Sequence, residues 1–197
     1  MKHHSLGFTL IELLVVISII AILASLAIPA VLSALTRGQM TGTLSSSRQI
    51  QLATQNSALD AAAQIATGIG WPGDAGTTTV QAFATMLVSN EYLTGPDLAK
   101  FIGNGPGIQP ATATDNTITV SSDNVAFTVF NVRENSDLDR VFLVTKNWSA
   151  NTLGSNAPYG EKGFIVMRKG GDGSVLRRAQ AGDTNLVKTE GQTALTE

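Results

Sequence analysis

The chain has 197 residues, with 13 Lys and Arg against 15 Asp and Glu and a formal net charge of −2. That balance argues against a general nucleic-acid binder, which is usually strongly basic. The absence of cysteine excludes disulfides, thiolate metal centres and Cys nucleophiles, and the two histidines, His3 and His4, both stand in the first four residues.

Charge is spread unevenly. From Phe8 to Leu35 the one ionisable side chain is Glu12, and from Leu13 to Leu35 there is none. About 23 residues at ~1.5 Å each make a helix of about 35 Å, enough to cross a hydrocarbon layer of ~30 Å. Pro29 lies inside the run and removes one backbone bond. Two ordinary readings suit such a run. One is a secretory signal with Lys2 as its basic start and Ser25 and Ala27 as the small pair before a cut; the other is a plain one-span anchor. Against the signal, an acid directly precedes the run, which then passes without a break into a polar helical pattern.

Gly7-Phe8-Thr9-Leu10-Ile11-Glu12-Leu13-Leu14-Val15-Val16-Ile17 closely resembles the start of type IV pilins and type II secretion pseudopilins. The resemblance covers about the first 30 residues: the Gly before the Phe, the Glu four residues after it, and Pro29. Ala21 stands where many type IV pilins carry a helix-loosening glycine. The resemblance implies cleavage after Gly7 by a prepilin peptidase and methylation of the new terminal amine on Phe8. It implies assembly through Phe8, Glu12 and Pro29 into a type IV pilus or type II secretion filament. The implied partners are other copies or related pilins, the peptidase/methyltransferase, an inner-membrane assembly platform and a cytoplasmic assembly ATPase.

Elementary electrostatics agrees. Lys2 ahead of the span favours a cytoplasmic N-terminus, with everything after Arg37 on the far side. A carboxylate near the apolar core costs about 2.5–3.5 kcal/mol on insertion scales for a helix centre, so Glu12 calls for a named partner. Cleavage after Gly7 creates a cation at Phe8, one helical turn from Glu12. The resemblance implies that Glu12 meets the Phe8 amine of a neighbour. Cleavage also removes both histidines, leaving carboxylates, Lys, Tyr and hydroxyls, and Asp137 with Asp139 as the acid pair to check.

Residues 36–67 read as the same helix continuing, with Leu44, Leu52, Leu59 and Ala66 as a thin apolar stripe that packs on a head. Gly68, Gly70 and Trp71-Pro72-Gly73 end it. Thr77 to Thr79 are helix caps for a short amphipathic helix through Val80, Phe83, Ala84, Leu87 and Val88, which closes over Asn90 to Leu93. A turn or helix runs from Pro96 to Ile102, and Gly103 to Pro110 is a loop.

The last third predicts antiparallel strands at Thr117–Ser121, Val125–Arg133, Arg140–Lys146, Gly163–Lys169 and Ser174–Ala179. Ser122-Asp123-Asn124 and Gly170-Gly171-Asp172-Gly173 read as hairpin turns. Phe127, Val129, Val141, Leu143, Phe164 and Val166 form the expected core, with one sheet face on the helix stripe and Trp148 just past the third strand. Asp183 to Glu197 is a polar tail expected to lack order. Asn135, Asp137 and Asp139 alternate as in some calcium loops, but Arg140 stands where an EF-hand has glycine. By analogy with major pseudopilins, calcium would bind Asp172 or the Asp137/Asp139 pair. Arg168-Lys169 and Arg177-Arg178 put four cations on two adjacent strands, read as a solvated edge rather than a DNA-contact patch.

The expected architecture is α+β and pilin-like: a long N-terminal helix, its first half transmembrane, packed on a small antiparallel β-sheet. Its parts are a leader (1–7), a membrane and polymerisation helix (8–35), its continuation (36–67), a globular head (68–182) and the tail (183–197). The expected role is a structural subunit with no catalytic residue and no cofactor beyond the calcium analogy. It would sit single-pass in the inner membrane with the head periplasmic or extracellular. The competing classes are a one-span binding module that does not polymerise, and an exported carboxylate enzyme cut near Ala27.

Overall fold

The computed structural model describes residues 9–197. The chain divides into two compact units after Gly38. Helix α1 (Leu10–Ala62) runs through Pro29 and opens the second unit. It ends at Ala62, five residues before the expected Thr67. Gln64 takes a left-handed φ of 57°, the Ile65 N–H donates to Asp60 O at 3.0 Å, and the Gln64 N–H donates to Ala61 O at 3.1 Å. That is a Schellman ending with glutamine in the seat that glycine usually takes, so the downstream glycines pointed too far along the chain.

The buried face of α1 is not the expected leucine stripe. Leu52 and Leu59 are 45% and 61% exposed, while Thr43, Ser46, Ser47, Gln51, Thr54 and Ser57 are buried beside Met40, Ile50, Ala53 and Ala58. Leu44 and Ala66 are half-buried. Hydroxyls serve here because they are small and satisfied at once. Ser47 Oγ donates to Leu44 O, Thr54 Oγ1 to Ile50 O and Ser57 Oγ to Thr54 O, each at 2.8 Å. Other polar groups tie α1 to loops. Thr43 Oγ1 lies 2.8 Å from Asn104 O and 2.5 Å from Tyr159 Oη, Asn104 Nδ2 donates to Ser46 Oγ at 2.6 Å, and Gln51 Nε2 donates to Lys169 O at 2.9 Å. Burial pushes the Tyr159 phenol above its ordinary pKa. Tyr92 donates to Asp60 Oδ2 at 2.7 Å near the far end of α1, and burial with that carboxylate pushes it up to about 12.

Short helices follow: α2 (Pro72–Ala75), a single turn, then α3 (Val80–Ser89) and α4 (Gly95–Ile102). Thr79 and Thr94 cap the last two by accepting from Ala82 N and Asp97 N. Gly95 is required by packing, since a Cβ there would stand 2.0 Å from Thr114 O.

Strands β1 (Thr112–Thr114) and β2 (Thr117–Thr119) pair with each other. Ser122 to Asn124 is therefore a 3-10 turn between two sheets, not the expected hairpin. The main sheet orders β3 (Phe127–Val129), β4 (Val141–Thr145), β7 (Phe164–Arg168) and β8 (Gly173–Leu176), all antiparallel. β5 (Trp148–Ser149) and β6 (Thr152–Leu153) form a small ribbon. The glycine-rich turn at 170–173 joins β7 to β8 as expected, with Gly171 at φ 84°.

Every residue of β4 and β7 is buried, so the main sheet is covered on both faces. One core joins Ile50 and Ala53 of α1 to Phe83, Leu98, Phe127, Leu143 and Met167. Val141, Val144, Phe164 and Val166 face a second cluster with Trp148, Leu176 and Val187. An irregularity between Val141 and Leu143 turns Phe142 and Leu143 together into the first core and returns Val144 to the second. The six expected core residues are all buried, but on two faces rather than one.

The second face exists because the tail is not disordered. Val187 is buried in the second cluster and Leu195 in the first. The Leu195 N–H donates to Val129 O at 2.8 Å, and the Asn131 N–H donates to Thr193 O at 2.9 Å. On the other side the Thr196 N–H donates to Thr78 O, and the Val80 N–H to Thr196 O, both at 2.9 Å. Glu197 closes the strap on Lys146.

Candidate processing and assembly segment

Gly7 and Phe8, the expected processing residues, lie outside the described residues. The first described turn is built around Glu12. The Thr9 N–H and the Thr9 hydroxyl both donate to Glu12 Oε2 at 2.8 Å, and the Glu12 N–H donates back to Thr9 Oγ1 at 3.2 Å. Thr9 and Glu12 thus form a capping box, a Thr and a Glu three residues apart satisfying each other's backbone donors. The carboxylate also stands at the helix N-terminus, where the macrodipole favours negative charge. The Thr-x-x-Glu pattern ahead of an apolar run is legible in the sequence, and reading Glu12 only as a partner for an amine missed it.

Beyond Glu12 the helix is apolar all round, long and apolar enough to span a membrane, and none of its most apolar window is buried within the protein. Three of its hydroxyls are satisfied within the helix. Ser18 donates to Val15 O at 2.8 Å, Ser25 to Ile22 O at 2.7 Å and Thr36 to Leu32 O at 3.1 Å. These pairs follow the rule that polar groups in lipid be paired within the span. Pro29 leaves the Ser25 carbonyl without its usual N–H partner.

A carboxylate in a self-made cap thus opens a lipid-compatible helix. Residues 2–28 match the prokaryotic N-terminal methylation motif. This is the prepilin-type cleavage and methylation segment of type IV pilins and pseudopilins. It supports a type IV pilin-like or pseudopilin precursor anchored in a membrane by its apolar helix, and points to a structural subunit rather than an enzyme. The cut near Ala27 would fall inside α1. No curated protein and no solved structure matches the chain.

Two of the three acidic residues singled out in the late loops are occupied by cations of the chain itself. Asp139 pairs with Lys188 and Asp172 with Arg168. Among the described residues no group of three or more His, Asp or Glu stands together as a metal site. Asp137 and Asp139 share the wall of a 680 Å³ cleft with Arg140 and Lys188. The Lys188 hydrogen bond holds the Asp139 carboxyl below its ordinary range, opposite to what a general acid needs.

The basic strand pairs also differ from expectation. Arg168 and Lys169 are buried rather than solvated. Arg168 pairs with Asp172 and donates to Leu186 O at 2.7 Å. The Lys169 ammonium donates to Glu134 O and, at 3.1 Å, to Ser136 O, and lies 5.6 Å from the Trp71 ring centre. Trp71 in turn donates from Nε1 to Glu134 Oε2 at 2.8 Å. An internal cation therefore organises the loop after Val132, and only Arg177 and Arg178 remain on the surface.

Proposed function

We propose that the protein is a filament subunit, cut after Gly7, N-methylated on Phe8 and polymerised through α1 into a type IV pilus or type II secretion filament. The observation that carries this reading is Glu12, an acid at the start of a membrane-length helix inside a methylation motif. Thr9 engages Oε2 within the helix, and Oε1 receives the methylated Phe8 amine of a neighbouring copy. Pairing neutralises both charges and sets the axial register. Pro29, which loosens the ladder in mid-span, lets neighbouring helices adjust to one another.

The exposed face of α1 in the second unit suits the same purpose. Between residues 41 and 59 it presents Thr41, Ser45, Gln49, Leu52, Gln55 and Leu59, with Arg48 as its one charge. The N-terminus lies in the cytoplasm with Lys2, and the head lies across the inner membrane. The prepilin peptidase, an assembly platform and an assembly ATPase act on the chain.

The test is co-expression with a prepilin peptidase, followed by mass spectrometry of the mature N-terminus and electron microscopy of sheared filaments. The expected mature chain begins at N-methyl-Phe8. Glu12→Ala is expected to be cleaved and inserted but to give few filaments. An intact Met1 in a monomeric membrane protein would replace this reading with a one-span binding module. Wild-type filament yield from Glu12→Ala would remove the register role.

A further inference from the structure

The second unit is acidic as a whole. Residues 39–197 hold 14 Asp and Glu against 11 Lys and Arg. Its surface around the first turn of its helix departs from that balance. Met40 is buried against Tyr159 and Ile165. A Cβ on Gly163 would lie 3.1 Å from Met40 Cε and 2.8 Å from Leu176 O. The segments beside Gly163 and Leu176 therefore line this turn, and they carry Lys162, Arg177 and Arg178, all exposed. The single acid among them, Glu161, is tied to Arg178. The loop on the other side, Gly103 to Gly107, touches Thr43 through Asn104 and carries no charge. Lys162 and Arg177 form no ion pair among the described residues.

The apolar run ends at Leu35, five residues before Met40. Five residues span at most about 17 Å even when extended. The cationic rim is thus held by chain connectivity within reach of a headgroup layer. We propose that Lys162, Arg177 and Arg178 dock the head on anionic phospholipid headgroups before assembly. This rests on the membrane-anchored reading above. Basic side chains close to an anionic surface each contribute attraction of about fivefold in binding, lost within a Debye length or at high salt. The contact fixes the head against the bilayer while the subunit waits in the membrane, and must be released when the subunit leaves it.

The test uses the full chain reconstituted into neutral phosphatidylcholine vesicles and into vesicles with about 30% phosphatidylglycerol, a fraction chosen to give a clearly negative surface. Hydrogen exchange is followed by mass spectrometry over residues 160–163 and 177–181. Exchange is expected to slow about tenfold in the anionic vesicles alone, and to recover in about 0.5 M salt. The Lys162→Gln/Arg177→Gln/Arg178→Gln variant is expected to behave in both lipids as the wild type does in neutral vesicles. Equal exchange in both lipids would overturn the proposal. So would protection that follows protein density instead of lipid charge, since a neighbouring copy would then be the cover, and so would protection in neutral vesicles on adding inorganic phosphate. Vesicle flotation is measured in every arm. Chains that fail to float would defeat the membrane anchor itself, whereas chains that float without protection defeat only the docking.

Discussion

Ser47→Leu should harm the protein although it makes α1 more conventionally amphipathic. Ser47 is fully buried and its hydroxyl is already bonded to Leu44 O at 2.8 Å, so the substitution frees no other group. It does add a branched side chain where the neighbouring segments have closed on a hydroxyl. Overpacking of this kind costs about 1–3 kcal/mol. For a unit of this size, ~1 kcal/mol lowers the melting temperature by about 2–4 °C, giving a fall of roughly 2–12 °C. The contrasting change is Leu52→Ser with Leu59→Ser, which strips the leucines from the expected stripe. Both side chains are largely exposed, and surface changes usually stay within ~0.5 kcal/mol. Melting of the full chain in detergent, read by near-ultraviolet circular dichroism from buried Trp71 and Trp148, measures both. If Ser47→Leu melts with the wild type and the double serine variant melts well below it, the face of α1 that meets the head has been assigned backwards. Under the filament reading, the double serine variant should instead lower filament yield.

Three further outcomes are expected. Lys169→Met keeps the stem but leaves the Glu134 and Ser136 carbonyls without their donor, a loss of about 2–4 kcal/mol; chemical denaturation measures it, and limited proteolysis should open first at residues 133–139. Glu197 feels burial, which raises its pKa, but Lys146 and Ser122 outweigh this and hold it below the ordinary value of 4.5; a depressed carboxyl contributes stability above that value and loses it as pH falls through the folded pKa, so the strap should loosen below about pH 4.5, and Lys146→Met should flatten that acid limb of the stability profile. With Asp139 and Asp172 already paired to Lys188 and Arg168, neither calcium nor a chelator should move the melting temperature, and a rise of several degrees with calcium would reinstate a metal in those loops.

Much of the architecture was legible because its signals are local. The apolar run, the Thr79 cap, the period of α3 and the turn at 170–173 each depend on residues close together in the chain. What was illegible depends on the second partner. Ser47, Thr54 and Ser57 read as solvent-facing because a hydroxyl shows no sign that it will be paired within its own helix turn. Lys169 read as an edge charge because its partners are two carbonyls and an indole more than thirty residues away. Reading Val187 as part of a polar tail left one sheet face uncovered, and so Val141, Phe164 and Val166 were placed on the wrong side. At the N-terminus, the Thr9–Glu12 spacing is legible in the sequence, and the structure shows that the two residues bond to each other.

The cap on Glu12 bears on how an acid enters a membrane at all. A carboxylate awaiting a partner at the edge of the hydrocarbon would be costly throughout the time a subunit spends unassembled. The capping box lowers that cost within the chain, because the Thr9 amide and hydroxyl both donate to Glu12 and the helix N-terminus adds its own positive potential. Thr9→Val removes the hydroxyl but keeps the amide and the side-chain shape, so it separates the two roles. It should leave the Phe8 amine and Glu12 free to pair between copies while weakening the cap in the monomer. Under the filament reading, Thr9→Val should therefore lower the steady level of inserted subunit while preserving filament yield per subunit, and Glu12→Ala should do the reverse. If the two variants fail in the same way, the cap and the register are not separable functions of this side chain.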